Sequence, residues 1–219
     1  KKEYIVRTEG LRLLDAAINR GWKPNILTTE EYFEKIDKKH QKKIFVSEKE
    51  IIKKHMLLPK LEPIIGTGNY PARKKISYKK NIVILFSQDP TNIGSIIRTS
   101  RGHDINDFIF AKEAPDPYNL LVLRSSAGSS FGINYCRIND KNLEMLCDHE
   151  ILTAVAHNGA NIKTIKIKKS KNAFVFGHES KGVPERWLKE SKKVTIKTKN
   201  IESLSVSSAA AIIINQILD

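Results

Sequence analysis

Two apolar runs without polar interruption, Ile82-Val83-Ile84-Leu85-Phe86 and Phe174-Val175-Phe176, constrain this chain more than any other feature. A strand with one wet face alternates apolar and polar side chains, because successive residues point to opposite faces. These runs do not alternate, so they read as strands covered on both sides, as in the parallel sheet of an α/β protein. Strands are expected near Asn81 to Phe86, Asp107 to Ala111, Ile133 to Arg137, Ile151 to Ala156, Ala173 to Gly177 and Lys193 to Ile196, with helical stretches between them. The alternation predicts a parallel α/β sheet over residues 81–219. Ligands of such sheets lie beyond the carboxyl ends of the strands, so chemistry is to be sought in the loops after Phe86, Phe176 and Ile196.

The first third reads differently. Apolar residues at Leu11, Leu14, Ala17 and Ile18 have helical spacing, and Gly21 is a stop signal. Asn25 to Thr28 and Ile44 to Val46 read as short strands, and Glu30 to Ile36 as a second amphipathic helix. Ser47 with Glu50 forms a capping box for a third helix. Residues 1–65 are thus expected to form a small α/β unit. Residues 66–80, with Gly66-Thr67-Gly68, Pro71 and the basic run Arg73-Lys74-Lys75, read as a linker. The chain opens on Lys1-Lys2 and not on Met, and its front edge is expected to be truncated.

Charge narrows the partners. The chain carries 38 Lys+Arg against 24 Asp+Glu, a net +14, and 20 against 10 of these fall in the first 80 residues. Such a balance points to a polyanion. Cys136 and Cys147 are too few and too oddly spaced for a disulfide framework or a zinc knuckle, which favours a reducing compartment, the cytoplasm. The longest apolar runs fall far short of the roughly 20 residues that cross a bilayer, so no membrane is expected as partner.

In the first loop, Asn92 reads as an N-cap, with Gly94, Arg98 and Arg101 sharing one helix side at i, i+4 and i+7. A bare glycine, two arginines and a helix N-terminus suit a phosphate. A plain cap with a solvated face accounts for the same residues equally well. In the second loop, Gly177 and Gly182 permit close backbone approach to a ligand or φ > 0, and Glu179 is the one carboxylate. His178 has no second histidine at i+3 or i+4, so no metal is expected. In the third, Ser203, Ser205, Ser207 and Ser208 cluster at a helix start, without any hydrolase elbow.

Taken together, Asn92-x-Gly94-x-x-x-Arg98, Gly177-x-Glu179-x-x-Gly182 and Glu202-Ser203-Leu204-Ser205-Val206-Ser207 closely resemble the three signature motifs of the SpoU (TrmH-like) branch of SPOUT RNA methyltransferases. The stretch Leu123-Arg124-Ser125-Ser126-Ala127-Gly128 resembles the family's intermediate motif. Residues 3–65 are more faintly similar to the ribosomal-protein-like RNA-binding domain that often precedes the catalytic one. The resemblance implies a parallel-sheet domain with a C-terminal trefoil knot, S-adenosylmethionine as cofactor, a homodimer with the site at its interface, and methylation of a ribose 2′-hydroxyl. The RNA would be ribosomal in preference to transfer RNA.

By position, the resemblance implies that Asn92 and Arg98 face the target nucleotide, supported by Glu179. Phe176, Gly177, Glu179, Gly182, Ile196 and Leu204 would hold the cofactor, Ser203 and Ser205 would line the site, and Arg101 and Arg124 would contact substrate. A free guanidinium has a pKa above about 12, so Arg98 is read as a phosphate holder that favours the alkoxide, not as a base. Two departures stand out. Ser205 replaces the family's usual Asn, and the Ile196 to Ser203 segment lacks the usual Pro and Gly and is one residue short. These keep two other readings open: a catalytically silent RNA-binding or assembly factor, and a ribosomal RNA methyltransferase conferring antibiotic resistance.

Overall fold

The structure, a computed structural model, describes residues 5–37, 43–72 and 75–218. Arg73 and Lys74 of the expected basic run lie outside the described residues. The first unit runs β1 (Ile5–Glu9), α1 (Leu11–Ile18), β2 (Asn25–Thr28), α2 (Glu30–Phe33), β3 (Ile44–Val46), α3 (Lys49–His55) and β4 (Ile64–Asn69). Its sheet has the order β1-β4-β2-β3, with β2 and β3 parallel and the other pairs antiparallel.

Three sequence expectations change here. β4 passes through Gly66-Thr67-Gly68, which read as linker. A Cβ on Gly66 would sit 2.5 Å from Thr8 Oγ1 and 2.9 Å from Leu14, and one on Gly68 would sit 3.1 Å from the Trp22 ring. Glycine mid-strand thus marks close packing, which in sequence looks like a loop. Ser47 is not the cap of α3, which starts after Glu48 without a side-chain cap. The Ser47 amide instead donates to Thr28 O (2.9 Å), extending the β2–β3 pairing. The second helix stops at Phe33, short of Ile36, whose side chain turns into the small core beside Leu14, Ile26 and Ile64.

The second unit runs β5 (Ile82–Leu85), α4 (Pro90–Gly102), β6 (Asp107–Phe110), α5 (Leu120–Ser125), β7 (Asn134–Arg137), α6 (Asp140–Glu144), β8 (Glu150–Ala154), β9 (Ala160–Asn161), β10 (Asn172–Phe176), α7 (Glu185–Lys189), β11 (Lys192–Thr195) and α8 (Val206–Leu218). Its sheet has the order β7-β6-β5-β10-β8-β11-β9, and every pairing is parallel. The six expected strands are present; β9, two residues at the edge, was not foreseen from sequence.

The unbroken apolar runs have the physical cause inferred for them. Val83, Leu85, Phe174 and Phe176 face one core with Ile93, Ile97, Ala210 and Ile214 from α4 and α8. Ile82, Ile84, Ala173 and Val175 face another with Leu146 and Trp187. Period-two alternation persists, but both faces are dry. Each Val, Leu, Ile or Phe among them contributes about 2 kcal/mol of burial.

The two units share a core. Val6, Leu13, Ala17 and Trp22 belong to the same apolar cluster as Tyr118 and Phe131, with the Trp22 and Phe131 rings 5.1 Å apart. Gly128, at φ 76°, lies where a Cβ would come within 2.8 Å of Ala16. The residues between the units also pack: Tyr70 meets Tyr118 edge-on at 5.2 Å, and Ser77 Oγ donates to Asp107 Oδ2 (2.8 Å). Among the described residues no helix is long and apolar enough to cross a membrane.

Candidate functional site

The loop after β5 is set by Asp89 and Pro90. Asp89 caps α4, accepting from the Asn92 amide (2.7 Å), and Pro90 occupies the first turn, where its missing N–H costs nothing. Asn92 is therefore a first-turn residue and not the cap expected from sequence, and its side chain is free to leave the helix. Its Nδ2 donates to Glu179 Oε1 (3.0 Å), and its Oδ1 accepts from Ser207 Oγ (2.7 Å). Glu179 Oε1 also accepts from the fully buried Ser87 Oγ (2.5 Å). One carboxylate and one amide thereby join the loops after β5 and β10 to the first turn of α8. With a donor bonded to the carboxylate and an acceptor to a hydroxyl, the amide has one consistent orientation.

Burial of Glu179 works to raise its pKa, but hydrogen bonds from Ser87, its own amide and Asn92 outweigh it. The carboxyl is held below its ordinary range and is ionised at neutral pH. His178 lies beside it and adds to the lowering. Its Nδ1 accepts from the Ser180 amide (3.1 Å) and lies 3.7 Å from Glu179 Oε2. No group of three or more His, Cys, Asp or Glu that could hold a metal occurs among the described residues.

A cleft of about 350 Å³ opens at the carboxyl ends of β8, β10 and β11. Phe176, Gly177, Glu179, Gly182, Ile196, Ser203 and Leu204 all line it, so the structure brings together every residue expected at the cofactor and one expected beside it. Glu179 belongs both to this wall and to the Asn92 network. The glycines of the second loop serve mainly the loop itself: His178 and Gly182 exchange backbone hydrogen bonds of 2.8 and 2.9 Å, and Gly182 has φ 67°. A Cβ on Gly177 would lie 2.7 Å from the Gly182 carbonyl carbon. In the shortened third loop, Asn200 takes φ 64°, a left-handed turn made without glycine, and Thr198, Glu202 and Ser203 still reach the cleft.

Other expected residues lie apart. Arg98 is exposed on α4, makes no side-chain hydrogen bond among the described residues and does not line the cleft. Arg124 is exposed at the end of α5. Arg101 is half-buried, with its Nε sealed from solvent beside Gly132. Gly94 faces protein and not a ligand, since a Cβ there would fall 1.9 Å from Ser125 Oγ. Ser205 does not line the cleft: its Oγ accepts from the Ser208 amide (3.2 Å) as a helix cap and donates to Ser208 Oγ (2.9 Å).

Ser87 and the loop after β8, which lines the cleft with Val155, Ala156 and His157, were not foreseen, and Ser207, singled out in the serine cluster and the third motif, carried no expected role. The carboxyl-end rule applied to β8 as well would have found the loop. No local pattern marks Ser87.

An all-parallel sheet with a cleft at its carboxyl edge, flanked by a polar network that ties in the loop after β5, has the arrangement of a ligand-binding α/β domain. The chain belongs to the SpoU rRNA methylase family, whose model matches residues 79–215. An uncharacterized tRNA/rRNA methyltransferase of Borreliella burgdorferi is 30% identical over 64% of this chain and 64% of its own length. The 23S rRNA (guanosine(2553)-2′-O)-methyltransferase RlmP of Bacillus subtilis is 28% identical over 70% of this chain and 63% of its own. The chain thus spans just under two thirds of these relatives. In fold it is similar to the SpoU methyltransferase AviRb from Streptomyces viridochromogenes, solved with AdoMet, with TM-score 0.78, 20% identity, and 99% and 89% of the two chains covered. It is likewise similar to an AdoMet-bound rRNA methyltransferase from Sinorhizobium meliloti, with TM-score 0.77, 22% identity, and 97% and 86% covered.

Proposed function

We propose that the protein is an RNA methyltransferase that transfers a methyl group from S-adenosylmethionine to a ribose 2′-hydroxyl. The observation that carries this reading is the double role of Glu179, which lines the cleft and holds Asn92. The cleft suits the cofactor. Its volume lies in the range of small-molecule sites, Phe176, Ile196, Leu204 and Ile213 offer apolar walls to a base, and Glu179 and Glu202 complement a sulfonium and an ammonium.

S-adenosylmethionine supplies a methyl group already activated for in-line displacement. The protein's task is then to align the 2′-oxygen and stabilise its developing charge. Asn92, fixed from both sides, positions the target nucleotide. Arg98, a permanent cation, holds an adjacent phosphate and favours the alkoxide. Its distance from the cleft of its own chain suits a site completed by a second copy, the homodimer implied by the family resemblance. The trefoil knot of the C-terminal segment, an RNA-binding role for the first unit, and ribosomal RNA in preference to transfer RNA belong to the same reading.

Calorimetric titration with S-adenosylmethionine, followed by mapping of 2′-O-methyl groups on ribosomal RNA incubated with enzyme and cofactor, tests it. Cofactor binding with a new 2′-O-methyl site is expected. A protein that binds RNA but no cofactor is instead the silent scaffold, a reading favoured by one observation, the use of Ser205 as a helix cap where the family has Asn.

A further inference from the structure

The positive charge of the second unit is unevenly placed. No acidic residue occurs from Ile151 to His178, whereas 163–171 holds five lysines in nine residues. This stretch is the return from β9 to β10. It begins near the cleft end of the sheet, where the Ile162 amide donates to Thr195 O (3.0 Å). It ends at the opposite end, where the Lys168 amide donates to Glu150 Oε2 (3.2 Å). Ile165 and Ile167 pack against the main core, so the residues between and beside them turn outward.

Lys163, Lys166 and Lys168 are exposed, and their ammonium groups make no hydrogen bond or ion pair among the described residues. The backbone beneath them is held in place. Lys169 Nζ donates to Cys147 O (2.5 Å) and His149 O (2.9 Å), and Lys192 Nζ donates to Lys166 O (2.9 Å). Two acids at this end already have partners: Glu150 pairs with Lys192, and Asp148 lies 3.8 Å from Lys171. Three exposed cations are left over along this segment, Lys163 in the turn after β9 and Lys166 and Lys168 towards the amino end of the sheet.

We propose that Lys163, Lys166 and Lys168 form a phosphate-binding edge that grips the substrate RNA outside the target nucleotide. The apolar side chains of the segment are turned inward, so it has no face to enter a lipid surface, whereas a run of exposed cations on one segment suits a chain of phosphates. The inference rests on the RNA substrate proposed above. Because none of the three lysines lines the cleft, and β8 alone puts about 13 Å between the cleft and Glu150 beside Lys168, these contacts act on affinity and not on the chemical step.

The test compares the full chain with the triple variant Lys163→Gln/Lys166→Gln/Lys168→Gln in binding to labelled poly(U) and to ribosomal RNA across a salt series, with S-adenosylmethionine affinity as the fold control. Loss of three phosphate contacts should weaken RNA binding about tenfold at low salt and reduce the slope of log K against log salt by about 2. In methyl transfer KM should rise while kcat holds, and the triple Lys→Arg variant should restore affinity. A Gln variant with unchanged affinity and slope overturns the proposal while leaving the RNA methyltransferase reading intact. A wild-type protein that binds no RNA overturns both. Loss of binding to anionic vesicles with RNA binding unchanged would assign the edge to a membrane and overturn the proposal as well.

Discussion

The two ends of one parallel sheet carry opposite chemistry. At the carboxyl end, Glu179 and Glu202 border an apolar cleft, and Asn92, Ser87 and Ser207 are used up in one closed network. At the amino end, Glu150 and Asp148 are paired with lysines, and exposed cations remain over. One end is built for position, with the Asn92 side chain engaged at both of its polar atoms. The other is built for charge, where placement matters less than number. Small-molecule recognition needs the first arrangement and a polyanion tolerates the second, so a single scaffold keeps the two tasks apart along its strand axis.

The difference can be broken most severely at α4. Arg98→Ala is expected to lower methyl transfer on the order of 1,000-fold, measured with labelled S-adenosylmethionine, while calorimetric cofactor affinity stays within error. Full activity would remove Arg98 from the site. Asn92→Ala leaves Ser207 and Glu179 without their shared partner and should cost roughly 100-fold in kcat. An equal loss from Asn92→Asp would show that charge repulsion against Glu179 does the same damage.

Ser87→Ala removes one donor to a charged acceptor and should cost about tenfold. It also sharpens the comparison through pH. Hydrogen bonds hold Glu179 below its ordinary value, so its stabilising ionised form is present above that value and lost as pH falls through the folded one. Without Ser87 the folded pKa rises, and the acid limb of the rate profile should move to higher pH. An unmoved limb would mean that Glu179 does not control it.

The smallest effect is expected at the amino end. Burial depresses the pKa of His149, whose Nε2 bonds to Lys80 O (2.9 Å), and neighbouring lysines add to the depression. The unfolded chain therefore binds a proton that the folded one refuses. Stability should be complete above the ordinary value of 6.5 and fall as pH drops below it, by at most about 1.4 kcal/mol per pH unit. His149→Gln should flatten that slope in thermal melts without changing methyl transfer.

The parallel sheet was readable because coverage of both faces leaves a local mark: apolar residues in succession along Ile82 to Phe86. The place of the cleft was readable because Phe176, Gly177 and Ile196 lie at or just past strand ends, where ligands of such sheets collect, whereas Leu204 was picked out only by the family resemblance. Misreadings came where a local signal had a distant cause. Gly66 and Gly68 looked like linker because the Thr8, Leu14 and Trp22 side chains that exclude a Cβ there come from other elements. Gly94 looked like a ligand contact for the same reason, its neighbour being Ser125. The first unit looked separable because nothing near Trp22 announces Phe131.

Sequence by itself determined the alternation of strands and helices, the all-parallel sheet and the three loops, since each is a property of side chains within a few residues of one another. Only the tertiary structure decided what those loops do to each other. Ser87 reaches Glu179 across 92 residues, Asn92 reaches Glu179 across 87, and Ser207 reaches Asn92 across 115. Contacts of that separation depend on strand order and on how far each helix start protrudes from the sheet, and no local periodicity records either.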